Sequence, residues 1–154
     1  MLIITGRVRA GKTTLLRALH QAWQVGDGLY NERTLPMEAG QALIRMKTGE
    51  RKLFACKQGA EPADWVPAAY FGDTSFSKDG LEFAAGGLDE VVFNGSGPIW
   101  VDEIGPLELQ GDGLCKPFQA VLESGRDVIV VIREGCLNEV KDRFQIEMPV
   151  IIRV

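Results

Sequence analysis

At 154 residues the chain has the length of one domain, 1–154, and enough mass for a single buried core. Its 45% hydrophobic and 25% charged residues are those of an ordinary globular protein, which excludes a disordered or fibrous chain. Seventeen Lys and Arg against 21 Asp and Glu leave a net charge of −4, which argues against nucleic acid as the main partner.

The first element is a short apolar strand at residues 2–5, Leu2-Ile3-Ile4-Thr5. It runs into Gly6-Arg7-Val8-Arg9-Ala10-Gly11-Lys12-Thr13 and then Thr14, with a helix predicted over 12–24. This is G-x-x-x-x-G-K-[ST] between a strand and a helix, a phosphate-binding loop. Gly6 allows a sharp exit from the strand, and Gly11 lets backbone N–H groups close around phosphate oxygens. Lys12 reaches the β- and γ-phosphates, the Thr13 hydroxyl is a ligand for Mg²⁺, and the helix start turns its positive dipole end toward the anion. Leu15, Leu16, Leu19 and Trp23 recur at helical spacing, so that face is expected to pack on a sheet. His20, the only histidine, falls late in this helix and builds neither a zinc site nor a Ser–His–Asp triad.

Gly26-Asp27-Gly28 breaks the helix. Segments 29–35, 41–47 and 51–57 read as an antiparallel hairpin or meander, separated by Pro36-Met37-Glu38-Ala39-Gly40 and Thr48-Gly49-Glu50. Residues 58–77 read as irregular, and their aromatics Trp65, Tyr70, Phe71 and Phe76 as covering the core edge rather than stacking on a base. A helix follows over 78–93, weakened by Gly86-Gly87.

Ile99-Trp100-Val101-Asp102-Glu103 is an apolar strand ending in two carboxylates. Ligands bind beyond the carboxyl ends of such strands, which puts Asp102 in the shell of Mg²⁺ and Glu103 toward the γ-phosphate, placed to orient or deprotonate water. Gly105 permits a turn out of the strand, and Glu108 reads as an exposed loop carboxylate or a weaker site candidate. A helix at 116–124, a β-branched strand at 127–132, a short helix at 137–144 and a final strand at 146–154 complete the chain. Arg133 lies at the carboxyl end of the strand 127–132, which is expected beside Asp102, and is a candidate for sensing the γ-phosphate or stabilising transition-state charge, with Arg7 and Arg9 as competitors. The order is that of a three-layer α/β/α sandwich around a mostly parallel sheet, with an antiparallel β insertion after the first helix.

Cys56, Cys115 and Cys136 show no metal-ligand spacing and read as reduced thiols. The chain starts directly in a strand without a signal-peptide pattern, and no run approaches the roughly 18 apolar residues of a membrane span, so a cytoplasmic location is expected.

The loop Gly6–Thr14, the Gly28-Leu29-Tyr30 segment with the Thr48-Gly49-Glu50-Arg51 turn, and Val101-Asp102-Glu103-Ile104-Gly105-Pro106-Leu107-Glu108-Leu109 carry a family resemblance. The chain resembles the small P-loop nucleoside-triphosphatases known as cancer-related nucleoside-triphosphatases, found also in thermophilic prokaryotes. Ser124-Gly125-Arg126-Asp127-Val128 and Val131-Ile132-Arg133 fit the same resemblance, which spans the chain. It implies a P-loop NTPase fold and slow, Mg²⁺-dependent hydrolysis of ATP, GTP and other nucleoside triphosphates. Where the family loop has Gly, this chain has Arg9, whose side chain either contacts phosphate or hinders the loop if φ is positive there. Two alternatives share the loop and Asp102: a nucleotide or small-molecule kinase, and a non-catalytic nucleotide switch or assembly factor. Asn138-Glu139-Val140-Lys141-Asp142 does not match a guanine-reading Asn-Lys-x-Asp, so GTP specificity by that route is unsupported.

Overall fold

The computed structural model describes residues 1–34 and 40–154. The expected turn at 36–39 and the end of the expected strand at 35 lie outside the described residues. The elements are β1 (Leu2–Gly6), α1 (Lys12–Trp23), β2 (Asp27–Thr34), β3 (Gly40–Arg45), β4 (Arg51–Lys57), β5 (Pro67–Phe71), β6 (Thr74–Ser77), α2 (Lys78–Asn94), β7 (Ile99–Ile104), α3 (Pro106–Leu109), α4 (Cys115–Glu123), β8 (Val128–Arg133), α5 (Leu137–Arg143) and β9 (Val150–Arg153).

The strands form one nine-stranded sheet in the order β5-β6-β4-β3-β2-β7-β8-β1-β9. From β2 to β9 every pairing is parallel, and from β2 outward to β5 every pairing is antiparallel. Parallel strands buried on both faces need apolar residues on both, and alternate residues duly point opposite ways. Ile3, Val101, Val130 and Ile132 face α2, α4 and α5, where Leu88, Phe118 and Val140 close the core. Ile4, Trp100, Ile129 and Val131 face the other way and meet Leu16 of α1. Helices therefore lie on both faces of the sheet, giving the three layers expected.

Several expectations need correction. The segment expected to open the antiparallel hairpin or meander does pair antiparallel with β3 as β2, but its start also pairs in parallel with β7, so it belongs to the core sheet; α1 is the crossover that returns the chain to its place. Residues 58–77 are not all irregular, because β5 and β6 form a hairpin with Phe71 opposite Thr74. Pro67 is tolerated since β5 is the outermost strand, and Gly72, at φ 57, makes the two-residue turn. Its aromatics divide: Phe76 packs on Phe54 at 5.3 Å between ring centres, Trp65 donates to Ser75 Oγ, and Tyr70 stays exposed. The last strand is only Val150–Arg153, while Trp23 is 48% exposed with its ring leaning on Trp100. Gly86 and Gly87 do not interrupt α2, which is begun by Ser77 Oγ accepting from the Gly80 N–H.

Candidate active site

All five parallel strands end on the same side of the sheet, so the segments after β1, β7 and β8 converge there. The loop from β1 to α1 turns back tightly: a Cβ on Gly6 would run into the Val154 carbonyl, which is why no side chain fits. Gly11 has φ 94 and open space around it, and caps α1 with no side-chain bond. No acidic residue occupies the first turn of α1, so its unpaired N–H groups and dipole face outward, unopposed by local negative charge. Arg9 has φ 66, the left-handed region that favours glycine, so the position does require the conformation the substitution strains. Arg7, Val8, Arg9 and Ala10 are all exposed along this loop, as is Thr14 on the first turn of α1.

Lys12 is buried at 6% exposure, with Nζ donating to the carbonyls of Gly6 (3.2 Å) and Arg7 (2.9 Å). Its ammonium thus sits inside the curl of the loop. The adjacent Thr13 Oγ1 donates to Asp102 Oδ2 at 2.8 Å, across 89 positions of sequence. Asp102 is fully buried, and β2 holds it from the other side: the Asn31 N–H donates to Oδ2 at 3.0 Å and Asn31 Nδ2 to the Asp102 carbonyl at 2.9 Å. Among the described residues Asp102 Oδ1 has no partner. Burial pushes this carboxyl up to about 7; the Asn31 and Thr13 donors and the Lys12 charge pull against that rise, and the Glu103 charge adds to it.

Glu103 is the extra residue in a register shift, since Asp102 lies opposite Val131 and Ile104 opposite Ile132. Such bulges re-aim a side chain, and Glu103 Oε1 accepts from Arg133 Nε at 2.8 Å. Because β8 lies between β1 and β7, with Arg133 opposite Gly6, this arginine stands between the loop and the two carboxylates. The expectation that strand 127–132 neighbours Asp102 holds.

Glu108 is neither exposed nor in a loop, contrary to the sequence reading. It is 4% exposed in the first turn of α3 and accepts from the N–H groups of Gly105 (2.8 Å) and Leu114 (3.1 Å). Gly-Pro followed by Glu at the third helical position is a capping pattern visible in the sequence, and it explains the burial. Burial raises the Glu108 carboxyl above the usual range against the pull of those N–H donors. Gly105 thus leaves β7 under the grip of Glu108, beside the Arg133 side chain.

These parts border a cleft of about 460 Å³ whose walls include Lys12, Thr13, Asn31, Glu103 and Arg133 and, on the antiparallel side, Phe71. Asn31 is the member that sequence reasoning missed: nothing local marks it, and its partner lies 71 residues away. The oxygen set around Asp102 suits Mg²⁺, which is hard, keeps much of its water and needs few protein carboxylates. The partnerless buried Oδ1 is the observation that fits this ion, since a buried carboxylate oxygen lacking any donor asks for a cation or its water. Among the described residues, no His, Cys, Asp and Glu grouping forms an all-protein metal cage.

A phosphate-type loop on β1, with Asp-Glu ending the next strand but one, defines the P-loop NTPase class of α/β proteins. The profile of the NTPase family matches residues 1–153, and the chain belongs to that family. Nucleoside-triphosphatase THEP1 of Thermotoga maritima is 29% identical over 149 residues, an alignment covering 92% of this chain and 80% of that protein. The crystal structure of THEP1 from Aquifex aeolicus superposes with a TM-score of 0.73 at 22% identity, covering 99% of this chain and 89% of the other. The solution structure of a human cancer-related nucleoside triphosphatase gives a TM-score of 0.70 at 20% identity, covering 99% and 87%. Among the described residues, no helix is long and apolar enough to cross a membrane.

Proposed function

We propose that this single-domain protein hydrolyses nucleoside triphosphates, ATP and GTP among them, to the diphosphate and phosphate in a slow, Mg²⁺-dependent reaction. The observation that carries the reading is the meeting of Lys12 and Thr13 with Asp102, Glu103 and Arg133 at one end of the sheet. The loop 6–14 wraps the phosphates with its N–H groups, and the N-terminus of α1 adds its dipole. On nucleotide binding Lys12 exchanges the Gly6 and Arg7 carbonyls for β- and γ-phosphate oxygens. Thr13 and Asp102 would hold Mg²⁺, which would supply charge neutralisation for the triphosphate. Glu103 orients and deprotonates the attacking water. Arg133 turns from Glu103 toward the γ-phosphate and stabilises charge in the transition state. Gly105, pinned by Glu108, sets where Glu103 leaves the strand.

Phosphate release from ATP, GTP, CTP and UTP, with Mg²⁺ and with EDTA, tests this directly. Release from several nucleotides with no added acceptor, abolished by EDTA, supports hydrolysis. Tight nucleotide binding with no release supports the kinase reading, for which the extension of the cleft to Phe71 on the antiparallel strands offers acceptor space.

A further inference from the structure

Among the described residues, three buried side-chain oxygens lack a hydrogen-bond partner: Thr5 Oγ1, Asn31 Oδ1 and Asp102 Oδ1. The last two belong to residues bonded to each other. Asn31 clamps Asp102 twice, by its backbone N–H and by Nδ2. The atom facing the Asp102 carbonyl must be Nδ2, because a carbonyl oxygen only accepts. That contact fixes the amide's orientation and leaves Oδ1 as a free acceptor. Asn31 lines the cleft, with Thr13 on the same Asp102 oxygen that its own N–H engages.

Two buried acceptors on hydrogen-bonded neighbours are left desolvated, with no donor for either among the described residues. What they lack is a strongly polarised O–H donor. Water in the coordination shell of a hard cation is such a donor, and Mg²⁺ gives up that water reluctantly. Partners of this kind orient the coordination shell and tune its affinity.

We infer that Asn31 Oδ1 accepts a hydrogen bond from water bound to the Mg²⁺ held by Thr13 and Asp102, making Asn31 a positioning residue of the cation site. The inference rests on the proposed Mg²⁺-dependent reading of that site. Asn31 then has two separate tasks: Nδ2 holds the Asp102 backbone, and Oδ1 holds the hydrated ion.

The two tasks separate by substitution. Asn31→Ala removes both. Asn31→Asp removes the Nδ2 donor and keeps an acceptor toward the ion. The probe is Mn²⁺, titrated into the protein saturated with ADP and followed by the electron paramagnetic resonance of the free ion, with melting temperatures recorded without metal. Asn31→Ala is expected to weaken Mn²⁺ binding about tenfold or more, and Asn31→Asp to bind Mn²⁺ at least as tightly as the wild type. Unchanged affinity in Asn31→Ala, or equal weakening in both variants, overturns the inference, since the clamp on Asp102 would then be the whole role. The near-isosteric Asn31→Asp decides alone if the alanine variant does not fold. A wild-type protein that takes up ADP but no Mn²⁺ overturns the underlying Mg²⁺ reading instead.

Discussion

Arg133→Ala separates catalysis from stability. The ion pair it breaks is short, 2.8 Å from Nε to Glu103 Oε1, but its side chains are 45% and 23% exposed. A pair in that setting is worth about 0.2–1 kcal/mol, so the melting temperature should fall by no more than about 2–4 °C in a chain of this size. Transition-state charge is another matter. Arginines that stabilise the transferring phosphoryl group contribute about 10³-fold or more to kcat, equivalent to roughly 4 kcal/mol of barrier. The loss in turnover should therefore far exceed the loss in stability. Phosphate release under saturating nucleotide, set beside thermal unfolding of the same preparation, measures both. Arg133→Lys keeps the charge but not the planar fork and should recover only part of the rate. Unchanged kcat in Arg133→Ala removes the residue from the mechanism; a melting temperature lowered by 15 °C or more, on the order of four times the pair's expected worth, would show that the fall in rate is a folding effect.

Other perturbations test neighbouring parts. Glu108→Ala leaves the buried N–H groups of Gly105 and Leu114 without an acceptor; at about 1–3 kcal/mol each, urea unfolding should show a loss of roughly 2–6 kcal/mol. Burial raises the Glu108 carboxyl, so its folded state holds the proton more tightly than the unfolded one. That contribution is complete below the ordinary Glu range near pH 4 and is lost as pH rises through the raised value; the alanine variant should lose this slope. Arg9→Gly relieves the positive φ while removing a cation from the cleft wall. Stability should hold or rise, and triphosphate affinity at low salt should fall about fivefold, the equivalent of about 1 kcal/mol between charges in high dielectric; equal affinity at low salt would contradict this.

The parts of the site legible in the sequence are those whose chemistry is contiguous. Gly6 to Thr14 carries its own turn, anion cradle and helix start, and Asp102-Glu103 ends an apolar strand. The position of Arg133 followed from the same logic, because a strand end in a parallel sheet faces the ligand side. Asn31 did not, since its partner is far along the chain and polar residues in strands usually face solvent. Glu108 reads as exposed because charged residues are rarely buried unless paired, and here backbone N–H groups serve as the partners. In the fold, segment 58–77 reads as irregular because proline and glycine break strand patterns, whereas an edge strand tolerates Pro67 and a tight hairpin needs Gly72. The parallel pairing of β2 with β7 was hidden because neighbouring segments in sequence suggest hairpins, and only packing of α1 against the sheet fixes the crossover.

Glu103→Gln is the most direct test of the central claim, because it alters the residue assigned to the attacking water and leaves the phosphate cradle intact. Single-turnover hydrolysis and nucleotide binding should be measured on the same variant, beside Lys12→Ala. Glu103→Gln should bind Mg²⁺–nucleoside triphosphate about as well as the wild type and cleave it about 10²-fold more slowly or worse, whereas Lys12→Ala should lose binding itself. Hydrolysis at the wild-type rate in Glu103→Gln would contradict the account.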